Sequence, residues 1–194
     1  MTANLRLAQH PDADKLLSAS PLALLTGMLL DQQVPMEKAF SGPYVLAQRL
    51  GHEPSADEIA GYDTEKLVEL FTRTPAIHRF PGAMAKRVQE LCRYLRDHYD
   101  GDAEAVWRGV PNGAELLKRL KTLPGYGEQK AKIFLALLGK QLGVRPDGWR
   151  EAAGGYGEKG ATRSVADVVD EESLLKVREF KRQVKQAAKA GKST

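Results

Sequence analysis

The sequence predicts an all-α fold, and three observations support this. Apolar residues recur at helical spacing, as where Met84, Val88 and Leu91 occupy positions i, i+4 and i+7. Residues that favour helix N-termini precede most of the apolar runs. No segment alternates apolar and polar residues for long enough to indicate a β-strand. We therefore expect helices joined by turns.

Local signals predict where the helices begin. The N-terminal signals occur, in chain order, at Pro21, at Ser55 (with Glu58 in a capping-box pattern), at Asp63 or Thr64, at Pro81 and at Ser164. The segment 36–50 contains Gly42 and Pro43, which predict either two short helices or one kinked helix. The stretch 145–163 is rich in glycine and is expected to be irregular, with a short helix after Asp147.

Composition and length favour a globular protein. The chain has 194 residues, which suits one domain or two small lobes. Its single cysteine, Cys92, excludes an internal disulfide and a four-cysteine zinc or iron–sulfur site, and is expected to be a small buried residue. Because we find neither a signal-peptide pattern nor an apolar run of membrane-spanning length, we expect a cytoplasmic protein that makes no membrane contact.

Positive charge is concentrated near the C-terminus. Residues 176–192 carry a net charge of +6, from Lys176, Arg178, Lys181, Arg182, Lys185, Lys189 and Lys192 against Glu179. Since the whole chain carries +4, an anion must be bound through local patches. We divide the chain into a helical domain, residues 1–175, and a basic C-terminal helix with a frayed tail, residues 176–194. This helix either adds nonspecific affinity for an anion or is a solvated helix face.

The most informative segment is a predicted helical hairpin at residues 113–140. Pro124 ends its first helix, and Gly125 and Gly127 permit a tight turn and close approach by another molecule. The amides after Gly127 begin the second helix, where unpaired N–H groups and the helix dipole favour a phosphate. Lys130 adds positive charge there. The alternative is an ordinary helical hairpin with a glycine turn.

Three matches point to one family. The motif Leu-Pro-Gly-Tyr-Gly-x-x-x-Ala at residues 123–131 resembles the helix-hairpin-helix of the HhH-GPD superfamily of base-excision DNA glycosylases. The segment Leu-Leu-Asp-Gln-Gln-Val at residues 29–34 resembles the part of that family in which a glutamine enters the gap left by a flipped nucleotide. Counting from Leu123, Asp147 falls where the family has its catalytic aspartate. Together the matches span residues 20–150.

The resemblance implies a function and a set of sites. It implies a two-lobed helical DNA glycosylase with a cleft between the lobes, acting as a monomer on double-stranded DNA and associated with the nucleoid. Such an enzyme hydrolyses the N-glycosidic bond of a damaged or mismatched base that is flipped out of the duplex. Asp147 would stabilise the positive charge that develops on the sugar. The implied DNA-binding residues are Gln32, Gln33, Leu123, Gly125, Tyr126, Gly127, Gln129, Lys130 and Lys132.

Some features depart from the family pattern. Family members that cleave the strand carry a lysine where this chain has Gln129, and the neighbouring Lys130 should be rotated away by about 100° around the helix axis. We therefore expect base release without strand cleavage. We expect no cofactor and no metal site. No iron–sulfur cluster can form, and the resemblance allows only a monovalent cation at the hairpin.

Other interpretations remain open. The chain is alternatively a non-catalytic helix-hairpin-helix protein that binds DNA or senses damage, or a helical protein-interaction module. In an enzyme, the Asp147 carboxylate should face a pocket beside the hairpin. In a binding protein, it should be a solvated turn residue or the N-cap of the helix that begins at Trp149. Asp31 is the next candidate for the carboxylate. Tyr126, Trp149 and Tyr156 favour packing over base stacking.

Overall fold

The computed structural model describes residues 3–192 and confirms the all-α class. Within this range ten α-helices follow one another: α1 (Pro11–Ala19), α2 (Pro21–Leu30), α3 (Met36–Leu50), α4 (Ala56–Gly61), α5 (Thr64–Thr72), α6 (Pro81–Tyr99), α7 (Gly113–Thr122), α8 (Glu128–Gln141), α9 (Trp149–Ala153) and α10 (Glu171–Ala190). Short 3-10 helices lie at Ala103–Val106, Gly154–Gly157 and Val165–Asp167. The described residues contain no β-strand, only an isolated bridge between Asn112 and Asp147.

Several predicted helix starts are confirmed by the capping contacts. The side chains of Ser20, Ser55 and Asp63 each accept a hydrogen bond from a backbone N–H in the first turn of the helix that follows. The segment 36–50 forms one helix with Pro43 inside it, so the two-helix alternative is wrong. Of the tail that was expected to fray, Ala190 still belongs to α10, and residues 193 and 194 lie outside the described range.

Two groups of helices share a continuous apolar core. Helices α1 to α6 pack mainly on one another, with α2 buried along almost its whole length. Helices α7, α8 and α9 pack together with the 3-10 helix Val165–Asp167, on which α10 rests. The 3-10 helix Ala103–Val106 contacts α2, α6 and α7 and so connects the two groups.

The loop between α7 and α8 docks on α2. Tyr126 is buried there, and its hydroxyl donates a 2.7 Å hydrogen bond to the carbonyl of Leu25 in α2. Gly125 has a φ of +82°, and a Cβ at this position would overlap the side chain of Leu29. Only glycine permits both this backbone conformation and this close approach. The loop therefore holds the start of α8 against the C-terminal end of α2.

Two expectations from composition can be compared with the structure. Cys92 is buried as predicted, and desolvation raises the pKa of its thiol to about 12. In residues 3–192 no single helix is long and apolar enough to cross a membrane. Helices α1 and α2 would meet that test only as a pair bent by 117°.

Packing between α8 and α9 generates a stability prediction. A Cβ at Gly139 of α8 would overlap the indole ring of Trp149, whereas a Cβ at Gly61, the last residue of α4, would meet no atom. Gly139→Ala should therefore lower the free energy of unfolding by about 1–3 kcal/mol, because the ring must move within a packed core. Gly61→Ala should leave it unchanged or raise it by up to about 1 kcal/mol. Urea unfolding followed by circular dichroism measures both, and a more stable Gly139→Ala would contradict the packing.

Candidate functional site

An open cleft of about 560 Å³ lies between the α2–α3 connection on one side and α8 and α10 on the other. Its lining comes from segments far apart in the sequence: Met28, Asp31, Gln32, Gln33, Val34, Gln129, Lys130, Ile133, Tyr156, Arg163, Phe180, Lys181, Val184, Lys185 and Ala188. The structure thus brings together two of the predicted segments, the glutamines that follow α2 and the first turn of α8. It adds the basic C-terminal helix to them.

A buried histidine shapes the turn after α2. His78 Nε2 lies 3.1 Å from the carbonyl oxygen of Leu30 and 2.9 Å from that of Gln32. The backbone N–H of Phe80 donates to His78 Nδ1 at 3.0 Å, so the ring proton belongs on Nε2 and is donated to the turn. Burial lowers the pKa of His78, which favours this neutral form. The imidazole therefore holds the turn that carries Asp31, Gln32 and Gln33.

The two glutamines differ in their freedom. Gln32 is held on both sides of its amide: Nε2 donates to the carbonyl of Leu29 at 3.1 Å, and Arg87 donates to Oε1 at 3.2 Å. Gln33 is exposed and has a left-handed backbone conformation, with a φ of +57°. That conformation is uncommon for a residue with a side chain. Of the two, Gln33 is the side chain that can reach beyond the surface.

Asp31 and Lys130 face each other across the floor of the cleft. Lys130 Nζ donates to the carbonyl of Leu29 at 2.9 Å. Burial lowers the pKa of Lys130 to about 8, and the nearby Asp31 opposes this shift. Burial raises the pKa of Asp31, while the positive charges of Lys181 and Lys130 oppose it. Among the described residues, none donates a hydrogen bond to the Asp31 carboxylate. A partly buried carboxylate that faces a cleft without a fixed partner is available to a ligand.

The loop residues predicted to bind DNA fall into two classes. Leu123 and Tyr126 have buried side chains, so only their backbone can reach a ligand. Gly125 and Gly127 are exposed, and a Cβ at Gly127 would meet no atom. Gly127 is the N-cap of α8 and supplies no side-chain hydrogen bond, which leaves the first amides of the helix open to an anion.

The remaining predicted residues lie on the first turns of α8. Gln129 is exposed, and its amide donates to the hydroxyl of Tyr156 at 3.0 Å. Lys132 pairs with Glu128 at 3.3 Å on the helix surface. Gln129 and Lys130 both line the cleft, although they are adjacent positions on one helix. The cleft extends around the first turn of α8, with α2 facing Lys130 and Tyr156 facing Gln129, so adjacent helical positions both reach it.

Asp147 lies away from this cleft. Asp147 is exposed and does not line the cleft, and its carbonyl accepts a 2.7 Å hydrogen bond from the N–H of Gly113. Gly113 begins α7, so this contact lies at the end of the helical hairpin opposite the loop 123–127. Asp147 is not an N-cap either, since Gly148 holds that position without a side-chain bond. The spacing from Leu123 resembles that of the family, but after α8 this chain passes beside the start of α7.

Sequence reasoning did not place Arg163, Lys181 or Lys185 at the cleft. The clustering of charge at residues 176–192 was visible in the sequence. A local pattern does not show, however, which face of this helix packs against segments that are distant in the sequence. No three His, Cys, Asp or Glu side chains in residues 3–192 gather closely enough to hold a metal ion.

The chain matches no protein-family model, and no curated protein matches it. A function must therefore be argued from the geometry of this site.

The partly buried amine of Lys130 generates a pH prediction. Because its pKa is lower in the folded than in the unfolded protein, the protonated lysine opposes folding at pH 7. Lys130→Met should raise the free energy of unfolding at pH 7 by about 1–3 kcal/mol. The loss of the hydrogen bond to the carbonyl of Leu29 should offset part of this gain. This gain should shrink as the pH rises from about 8, the folded pKa, to 10.5, the unfolded value, because the wild-type lysine then loses its proton in both states.

Lys132→Met is the matched control on the same helix. Lys132 is part of a surface ion pair, so its replacement should change stability by less than about 1 kcal/mol. Urea unfolding of both variants between pH 7 and 10.5 provides the measurement. A gain for Lys130→Met that does not depend on pH would show that burial of the charge is not its cause.

Proposed function

We propose that this protein is a DNA glycosylase that hydrolyses the N-glycosidic bond of a damaged or mismatched base flipped out of duplex DNA. One observation carries the proposal. The two segments that resemble the HhH-GPD superfamily meet at one cleft. The hydrogen bond from Lys130 to the carbonyl of Leu29 joins them there, although these residues are 101 positions apart in the sequence. A flipped nucleotide needs such a recess next to a side chain that fills the vacated gap. We place the protein in the cytoplasm, on the nucleoid, as a monomer.

The packing of the helices supports a two-lobed arrangement of this kind. Helices α1 to α6 and α7 to α10 pack mainly within their own groups. The cleft lies where the α2–α3 connection faces α8 and α10. In this proposal the hairpin of α7 and α8 binds the DNA backbone, and the other group supplies the glutamine turn.

Contact with the backbone would use the loop before α8. Its exposed glycines, Gly125 and Gly127, let a phosphate approach the open amides at the start of α8. The helix dipole and the charge of Lys132 favour the same anion. These contacts do not depend on base sequence and should weaken steeply as the salt concentration rises. Gln33 is then the side chain that enters the gap in the duplex.

We assign the catalytic carboxylate to Asp31 in place of Asp147. In the reaction, water forms a bond to the anomeric carbon of the sugar, the bond from that carbon to the base nitrogen breaks, and the base leaves with a proton. The sugar carries positive charge in the transition state, and a carboxylate beside it lowers the barrier. Asp31 lines the cleft with a free carboxylate and can also accept the proton of the attacking water. Lys181 and Lys130 help to keep it ionised.

A second function is favoured by one observation. Asp147 is a solvent-exposed turn residue, as expected for a non-catalytic protein that binds DNA or senses damage. Such a protein would use the same loop and the same glutamine turn but would release no base.

Paired carboxamide substitutions test the catalytic assignment. Asp31→Asn should lower base release by about 10²–10³, because it removes charge next to the transition state and keeps the shape of the side chain. The matched control, Asp147→Asn, should leave the rate unchanged. A panel of duplexes, each carrying one lesion, scored for abasic sites after alkali, provides the measurement, with duplex binding measured in parallel.

The other outcomes discriminate between the two functions. Loss of activity in Asp147→Asn alone would restore the assignment made by counting from the hairpin. Duplex binding by the wild-type protein without base release from any lesion would identify the non-catalytic protein.

The product should be an intact strand that carries an abasic site. The position of the strand-cleaving lysine is occupied by Gln129, and the Lys130 amine is held by the carbonyl of Leu29. Treatment with borohydride in the presence of the substrate should therefore trap no covalent adduct. An adduct that disappears in Lys130→Ala but persists in Lys132→Ala would instead identify Lys130 as a nucleophile.

A further inference from the structure

One face of α10 forms a wall of the cleft. Lys181, Lys185 and Ala188 line the cleft and lie four and three residues apart, so they share a single helical face. Val184 lines it between them. Because this face is directed at Asp31 and Lys130, α10 is part of the site and not a separate basic tail.

The lysines of the inner face differ from the cations of the outer face. On the outer face Lys176 pairs with Glu172 at 2.6 Å, and Arg182 pairs with Glu179 at 2.6 Å. In the part of the chain that the structure describes, neither Lys181 nor Lys185 pairs with a carboxylate. Two neighbouring ammonium groups, neither in an ion pair with a described residue, therefore face the cleft, and Asp31 is the carboxylate near enough to feel the charge of Lys181.

The base of α10 is anchored, which gives this wall a defined position. Leu174 and Val177 are buried in the core. Arg178 forms an ion pair with Glu37 of α3. The Arg163 guanidinium lies 5.9 Å from the centre of the Phe180 ring. These contacts hold the helix immediately before Lys181.

The charge around the cleft favours an anion. Asp31 is the acidic residue of its lining, and the lining also carries Lys130, Lys181, Lys185 and Arg163, of which Arg163 pairs with Glu158 at 3.2 Å. A concave surface with this excess of one sign concentrates ligands of the opposite sign.

We propose that Lys181 and Lys185 form a phosphate-binding site on the inner face of α10, which contacts the backbone of the strand whose nucleotide occupies the cleft. The inference rests on the proposed function and specifies which residues hold the substrate strand. A phosphate site of this kind differs from a diffuse attraction by the net charge of residues 176–192, because only Lys181 and Lys185 contact the phosphates directly. The Asp31 carboxylate lies between this wall and α8, so a strand bound on Lys181 and Lys185 brings its sugar towards that carboxylate.

Two double variants with equal charge change test the inference. Lys181→Ser with Lys185→Ser removes two positive charges from the inner face of α10, and Lys176→Ser with Arg182→Ser removes two from the outer face. The inner variant should bind duplex DNA that contains an abasic-site analogue about tenfold more weakly than the wild type near 0.1 M salt. It should also lower the slope of log affinity against log salt by about 2, one for each lost phosphate contact. The outer variant should keep most of the affinity and the slope.

The possible outcomes distinguish a failure of this inference from a failure of the proposed function. Equal losses in the two variants would mean that α10 acts through its net charge alone, which overturns the inference and leaves DNA binding in place. Full affinity in the inner variant would also overturn it. A wild-type protein that binds neither this duplex nor an intact one would overturn the proposed function itself, and the inference with it. All four side chains are exposed, so far-ultraviolet circular dichroism should confirm that both variants fold.

Discussion

The hydrogen bond from the Tyr126 hydroxyl to the carbonyl of Leu25 fixes the position of α8 relative to α2. The hydroxyl is wholly enclosed, so breaking this bond would leave a buried donor without a partner, at a cost of about 1–3 kcal/mol. The same contact brings Gly125 against Leu29 and places Lys130 where its amine reaches the end of α2. The floor of the cleft therefore depends on one tyrosine in a five-residue loop.

A second set of contacts depends on the buried carbonyls at the end of α2. The last carbonyls of a helix have no partner within the helix and must be satisfied from elsewhere. Here the carbonyl of Leu29 accepts from both Lys130 and Gln32, and that of Leu30 faces His78. The carbonyls at the end of this buried helix thus bind side chains from three separate segments, which is why the candidate site lies at this point of the fold.

Local features of the fold could be predicted from the sequence, and features set by long-range packing could not. The caps at Ser55 and Asp63 act within one helical turn, so they are visible as short patterns. The place where the chain turns after α8 is set by distant contacts, such as the bond between Asp147 and Gly113, and counting from the hairpin could not reveal it. The same limit applies to α10. Its charge was evident in the sequence, whereas the direction of its inner face depends on the anchoring of Val177 and Arg178.

The burial of Cys92 has a consequence for labelling. It is the only thiol in the chain, and its raised pKa together with its place inside α6 keeps it from reacting with maleimides in the folded state. A cysteine introduced at an exposed position would therefore take up a fluorophore or spin label selectively, without prior removal of the native thiol. Attached at Ala188, where α10 borders the cleft, such a probe would report the approach of a ligand as a change in its emission or mobility.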